Sequence, residues 1–176
     1  MTLKPRLRKL VLTAHVVSSV GWIGAVVAYL ALVVAALTSE DDQTVRAALL
    51  GMELIYFVLV PLALASLLTG LVQSLGTTWG LFRHYWVIVK LLLTVLATSV
   101  LLLHLPTVSS LADEAAQAEG AALPDAGGEL LHAGVGQLVL LTTAILGLYK
   151  PRGMTRYGQR KLRTRTQNQE RGALTP

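Results

Sequence analysis

The chain has 176 residues, of which 53% are hydrophobic and 14% charged; an ordinary soluble domain carries roughly a quarter charged residues, so this is the composition of a membrane protein. The absence of cysteine excludes disulfides, thiolate metal sites and redox thiols, leaving histidine, carboxylate, lysine and backbone to supply any chemistry. A net charge of +5 could suit nucleic acid, but the basic residues flank apolar runs, where a bilayer surface accounts for them, and no nucleic-acid partner is expected.

A basic head, residues 1–9, leads into an apolar run at residues 10–37 that is about twice the usual length of a signal-peptide core, which predicts an uncleaved first span. The second span is expected at 52–75, with Pro61 near its middle, where a kink is tolerated in a bundle and would widen a pocket. The short loop GTTWGLFRHYW makes the second and third spans antiparallel neighbours. The third span is expected at 85–105, stopped by Pro106. Residues 106–128 are small and acidic and end in Gly-Gly, reading as one long loop with at most a helical turn. The fourth span is expected at 129–149, followed by a basic tail at 150–176. The fold class that results is all-α: a single four-transmembrane-helix bundle, with no strands and no nucleotide-binding loop.

The head, the loop between spans two and three, and the tail hold thirteen of the fifteen Lys and Arg residues. The other two connections hold only Arg46 and carry seven of the ten acids. The positive-inside rule therefore places both termini on the cytoplasmic side of the cell inner (plasma) membrane. Trp79, Tyr85, Trp86 and Tyr149 fall where an inner aromatic belt is expected. The tail is a topology anchor and a candidate contact for anionic lipid.

Ionisable groups inside spans are costly and mark candidate sites. At about 1.5 Å rise per residue, His15 and Lys90 share one layer near the basic end, while Glu53, His104 and His132 share another near the acidic end. On the third span Lys90, Thr94, Ala97, Leu101 and His104 form one stripe, expected to face the bundle interior. On the fourth, His132, Gly136, Val139 and Thr143 repeat it, and Gly134 and Gly136 would admit a close backbone or a flat cofactor. Ser18, Ser19 and Trp22 lie on the face of His15, and Thr69, Gly70 and Gln73 belong to the same inner half.

Several chemistries suit two such layers. Facing imidazoles can serve as axial ligands to a haem iron, with Lys90 paired to a propionate. His104 and His132 supply two histidines at one depth, whereas His15 would need His84 at the membrane edge. Histidine with carboxylate can instead bind copper or zinc, or relay protons. Each residue also has a plainer reading: His104 and His132 facing headgroups, Glu53 complementing a helix N-terminus, Lys90 reaching to the interface, His84 in a loop, and His15 satisfied by a serine or a facing helix.

HVVSSVGWIGAV resembles the first-helix pattern of the membrane superfamily that includes CopD-like copper-resistance proteins and HemJ-like protoporphyrinogen oxidases. TGLVQSLGTTWGLFRHYWVIVKLLLT is similar to that group's second-helix glycine and third-helix Trp-x-x-x-Lys-Leu, and the YKPRG sequence at Tyr149–Gly153 resembles an uncharacterised actinobacterial family of four-helix integral membrane proteins. The resemblance implies a four-helix core with His15, Trp22, Gly70, Trp86 and Lys90 as carried-over positions. In the haem-binding relatives a histidine lies two residues after the third-helix tryptophan; here Ile88 stands there and cannot ligate iron.

The leading expectation is an interior site for b-type haem or a related redox cofactor, held by His15, Trp22, Lys90, His104 and His132, with His15, His104 and His132 as metal ligands. Copper or small-solute handling is the rival, against which a total of three methionines counts for copper(I). A non-catalytic membrane scaffold is the third. Expected partners are the lipid bilayer and a second copy or a membrane redox protein.

Overall fold

The computed structural model describes residues 4–76, 81–118, 122–151, 153–160, 164 and 166–167. Four helices account for most of them: α1 (Pro5–Thr38), α2 (Asp42–Gly76), α3 (Tyr85–Gln117) and α4 (Gly127–Tyr149). All four are long and apolar enough to cross a membrane. α1, α2 and α3 reach about 50 Å at 1.5 Å rise per residue, well beyond the roughly 30 Å of a hydrocarbon core. The fold is the expected all-α bundle of a multi-pass membrane protein.

Each helix packs against two others, α1 on α2 and α4, and α3 on α2 and α4, so the four form a ring in chain order with α1 and α3 on one diagonal. Interior positions follow a spacing of three and four. Ser18, Trp22, Val26, Tyr29 and Val33 are buried on α1; Leu49, Met52, Tyr56, Leu59, Ala63 and Ser66 on α2. The outer faces are equally apolar, with Leu54, Phe57, Leu103, Leu131 and Leu148 strongly exposed. A helix that is hydrophobic all round has lipid rather than water as its outer solvent.

Two expectations about helix ends are corrected. Pro106 does not stop the third helix: α3 runs through it to Gln117, turning the first half of the expected 106–128 loop into three further helical turns. Val108, Ala112 and Ala115 repeat at four and three residues and are all buried, so packing of an alanine-rich stretch outweighs the one backbone hydrogen bond that proline removes. Pro106 itself is exposed. α2 likewise begins ten residues before the expected apolar edge, at Asp42, with the Asp41 carboxylate accepting from the Thr44 N–H at 3.0 Å as an N-terminal cap. It continues through Pro61, which is also exposed. Arg46 donates to the Ala116 and Ala118 carbonyls, placing a cation on the C-terminal end of α3.

At the opposite end, α4 closes on Lys150, whose φ of 43° is left-handed, and the chain turns back under the α2–α3 connection. Thr155 donates its N–H to the Arg83 carbonyl at 2.9 Å and its hydroxyl to the Phe82 carbonyl at 2.6 Å, while the Tyr85 N–H donates to the Gly153 carbonyl at 3.4 Å. Gly158 is required there, because a Cβ would lie 2.6 Å from the Arg83 carbonyl oxygen. The start of the basic tail is thus a built part of the fold. Tyr85 and Tyr149 are exposed at this end, and Trp79 lies outside the described residues.

Candidate functional site

The two polar layers are present, and about fourteen residues of α1, or about 21 Å, separate them. At the basic end, His15 turns its Nδ1–H toward α2, donating to the Ser66 carbonyl at 3.1 Å and to Thr69 Oγ1 at 3.2 Å. A carbonyl can only accept, so Nδ1 carries the hydrogen and Nε2 is left free in the neutral ring. Gly70 makes the approach possible: a Cβ there would lie 2.9 Å from His15 Cε1. One turn further in, Ser19 and Ser66 share a hydrogen bond of 2.7 Å. Ser18 bonds to the carbonyls of its own helix instead. Lys90 reaches from α3 across to α4, where its ammonium lies 3.2 Å from the position of a Gly147 Cβ.

The acidic-end layer is the more developed of the two. Glu129, three residues into α4, is 3% exposed and receives two donors. The Tyr29 hydroxyl donates to Oε2 at 2.6 Å, and His104 Nε2–H donates to Oε1 at 2.8 Å. His132 stacks on His104 with ring centroids 3.7 Å apart and planes 13° from parallel, and has no hydrogen bond to any described residue. Tyr56 packs edge-on against Tyr29 at 5.6 Å. Three helices therefore hold one carboxylate, and a buried carboxylate is tolerated only when paired and hydrogen-bonded in this way.

These groups border a cavity of about 570 Å³. Trp22, Val26, Leu59, Leu101 and Leu140 form its apolar wall, and Tyr29, His104, Glu129 and His132 its polar one. Leu96 and Val100 of α3 and Leu131 and Val135 of α4 line it while also being exposed. The cavity thus opens sideways between α3 and α4, toward the surface that lipid covers.

The expected residues sort unevenly. His104, His132 and Trp22 come together around the cavity, with Ala97, Gly136 and Val139 of the two expected stripes beside them. His15 and Lys90 lie in the other layer and do not line it. Glu53, the acid singled out for the outer layer, is half-buried and has no hydrogen-bond or ion-pair partner among the described residues. His84 caps α3 and bridges to Met154 at the loop, in keeping with its plainer reading. Glu129 takes the place expected of Glu53, with Tyr29 and Tyr56 unforeseen. Two signals were available: Glu129 precedes His132 by three residues, one turn on the same face, and Tyr29 continues the stripe of His15 and Trp22.

His104 and His132 do not face each other along a common axis, as two axial ligands of one iron must; their rings lie side by side, with His104 Nε2 turned to Glu129. Among the described residues no group of three or more His, Cys, Asp or Glu converges as a metal cage. One imidazole, His132, is left with nitrogens available to a ligand in the cavity. The fold and site define a multi-pass helical membrane protein with a lipid-facing polar cleft. The chain matches no protein-family model, and no curated protein or solved structure matches it significantly.

Proposed function

We propose that the protein is a multi-pass plasma-membrane protein, with both termini cytoplasmic, that holds b-type haem in the cleft at its acidic, outer end. The observation that carries this reading is His132: an imidazole with no hydrogen-bond partner among the described residues, steadied by stacking on an anchored His104, at the edge of a largely apolar cavity. A single axial ligand and an apolar, close-fitting surround are what a b-type haem requires of a protein. His132 would be the ligand, with Trp22, Leu101 and Leu140 against the ring faces. The charge distribution supports the orientation, and the likeness of HVVSSVGW and TTWGLFRHYWVIVK to the CopD-like and HemJ-like group supports a membrane redox role.

A second reading follows from the sideways opening: a quinone-type redox molecule dissolved in the bilayer could enter between α3 and α4 and hydrogen-bond to His132 or Glu129. A copper-handling role has less support, because among the described residues the imidazoles and the carboxylate do not form a group of three that could hold a metal ion.

The test is the absorption spectrum of protein purified from haem-replete cells. A Soret band that is lost in His132→Ala and kept in His15→Ala is expected. Absence of the band, or its survival in His132→Ala, overturns the haem reading; haem-free protein that binds a soluble quinone analogue establishes the second.

A further inference from the structure

The basic end of the bundle carries charge that the chain itself does not balance. Residues 1–9, 70–90 and 147–176 hold fourteen of the fifteen Lys and Arg residues and one of the ten acids, Glu170, which lies outside the described residues. Like charges so gathered repel one another, and beside a membrane the counter-charge within reach is the anionic headgroup.

The fold fixes where part of this charge sits. Gly153 accepts from the Tyr85 N–H, Met154 pairs with His84, and Thr155 donates its N–H to the Arg83 carbonyl and its hydroxyl to the Phe82 carbonyl. Thr155 then opens a turn of helix over 156–160. Its hydroxyl oxygen accepts from the Gly158 N–H at 3.1 Å and its carbonyl from the Gln159 N–H at 3.0 Å. A Cβ at 158 would lie 2.6 Å from the Arg83 carbonyl oxygen, so a larger residue there would lift the turn off the α2–α3 connection.

The clamped turn has two faces. Thr155 and Gly158 are buried, whereas Arg156, Tyr157 and Arg160 are exposed. Arg156 and Arg160 are four residues apart and therefore neighbours on one face of the turn. The level of the turn is that of a bilayer surface. It is bonded to Tyr85, the first residue of α3, and the rings of Tyr85, of Tyr149 at the end of α4 and of Tyr157 are all exposed at this end. Amphipathic rings mark headgroup depth. Headgroups at that depth fall within the ~8 Å over which charges act at physiological ionic strength, whereas nucleic acid or an acidic protein would have to approach from the water beyond.

We infer that the clamped segment, residues 153–160, is a binding surface for anionic phospholipid headgroups, with Arg156 and Arg160 as the phosphate contacts and the Thr155–Gly158 clamp holding them at headgroup depth. Guanidinium suits this ligand, since its planar fork gives two parallel N–H donors to the two free oxygens of a phosphodiester. A zwitterionic headgroup offers the same phosphate but sets an ammonium beside it, which two arginines on one face repel. The surface is at the opposite end of the bundle from the cleft and is independent of whether the cleft holds haem.

Native mass spectrometry of the full-length protein in mild detergent, titrated with palmitoyl-oleoyl phosphatidylglycerol or phosphatidylcholine, tests this. Phosphatidylglycerol should be retained at concentrations about tenfold lower, and Arg156→Gln with Arg160→Gln should reduce that preference about fivefold. Gly158→Val keeps every charge but breaks the clamp, and should reduce it comparably. Arg6→Gln with Arg8→Gln makes the same change of charge two residues apart on opposite faces of α1, and should change it less than about twofold. All four arginines are exposed, so the paired substitutions should fold and decide the matter if Gly158→Val does not. Equal retention of the two lipids, a loss as large for the α1 pair as for the clamped pair, or a preference unchanged in a folded Gly158→Val overturns the inference. Binding of a labelled oligonucleotide in place of phosphatidylglycerol would do the same.

Discussion

Tyr29 and Glu129 stand one hundred positions apart in the chain and 2.6 Å apart in space. Replacing the tyrosine by phenylalanine removes one of two donors from a buried carboxylate while leaving the ring packed on Tyr56. Tyr29→Phe should therefore lower stability by about 1–3 kcal/mol, read as a fall in the melting temperature of the detergent-solubilised protein. A change near zero would mean that Glu129 does not depend on this donor. At the other layer, Gly70 and His15 form a matched pair. Gly70→Ala places a methyl against the ring and should cost about 1–3 kcal/mol. In His15→Ala the same substitution should cost far less, so the double-mutant cycle is strongly non-additive. An additive cycle would contradict the close approach. At this scale the sequence was partly legible. His104, His132 and Trp22 stood out because an imidazole or indole in a greasy run is conspicuous, and they do line the cleft. Glu129 was not singled out, because linear position cannot tell a carboxylate facing headgroups from one drawn inward by a tyrosine on another helix.

At the scale of elements, the helices were legible in number and in apolar extent, but not at their ends. Hydropathy marks where lipid begins, whereas a helix continues as long as its backbone bonds and packing are satisfied. Thus α2 starts at Asp42 and α3 ends at Gln117, each beyond its apolar stretch. The start of α2 carries a pH-dependent prediction. Hydrogen bonds from the Thr44 hydroxyl and N–H hold the exposed Asp41 carboxyl below its ordinary value. A carboxyl so shifted stabilises the folded state above its unfolded pKa, and the contribution is lost as pH falls through the lower, folded value. Amide hydrogen exchange at residues 43–46 should show protection that is full at neutral pH and declines in the acid range, and Asp41→Ala should abolish the decline along with the protection. Protection independent of pH in the parent chain would count against the cap. The other unexpected element, the return of residues 153–158 under the α2–α3 connection, rests on Thr155 and Gly158, which a reading of the tail by charge alone had no reason to single out.

For the whole molecule, the arrangement concentrates polar chemistry on the bundle axis and leaves aliphatic side chains on the perimeter. A ring of four helices with α1 and α3 on one diagonal gives each layer contributors from opposite sides. His15 of α1 and Lys90 of α3 share a depth at one end, and Tyr29 and His104 meet through Glu129 at the other. The layering was legible, since depth follows from counting residues at a fixed rise. How the rings of His104 and His132 are turned was not. Parallel stacking of His104 on His132 rather than opposition across a gap depends on side-chain rotation at the α3–α4 contact. That rotation decides the coordination the cleft can offer, and so the spin state of an iron bound there. Electron paramagnetic resonance of the oxidised, as-purified protein reads this directly. With His132 as the sole axial ligand, a high-spin ferric signal is expected that turns low-spin when imidazole is added. A low-spin signal before any addition would require a second protein ligand that these rings are not placed to give, and a sample with no ferric haem signal would contradict the cofactor itself.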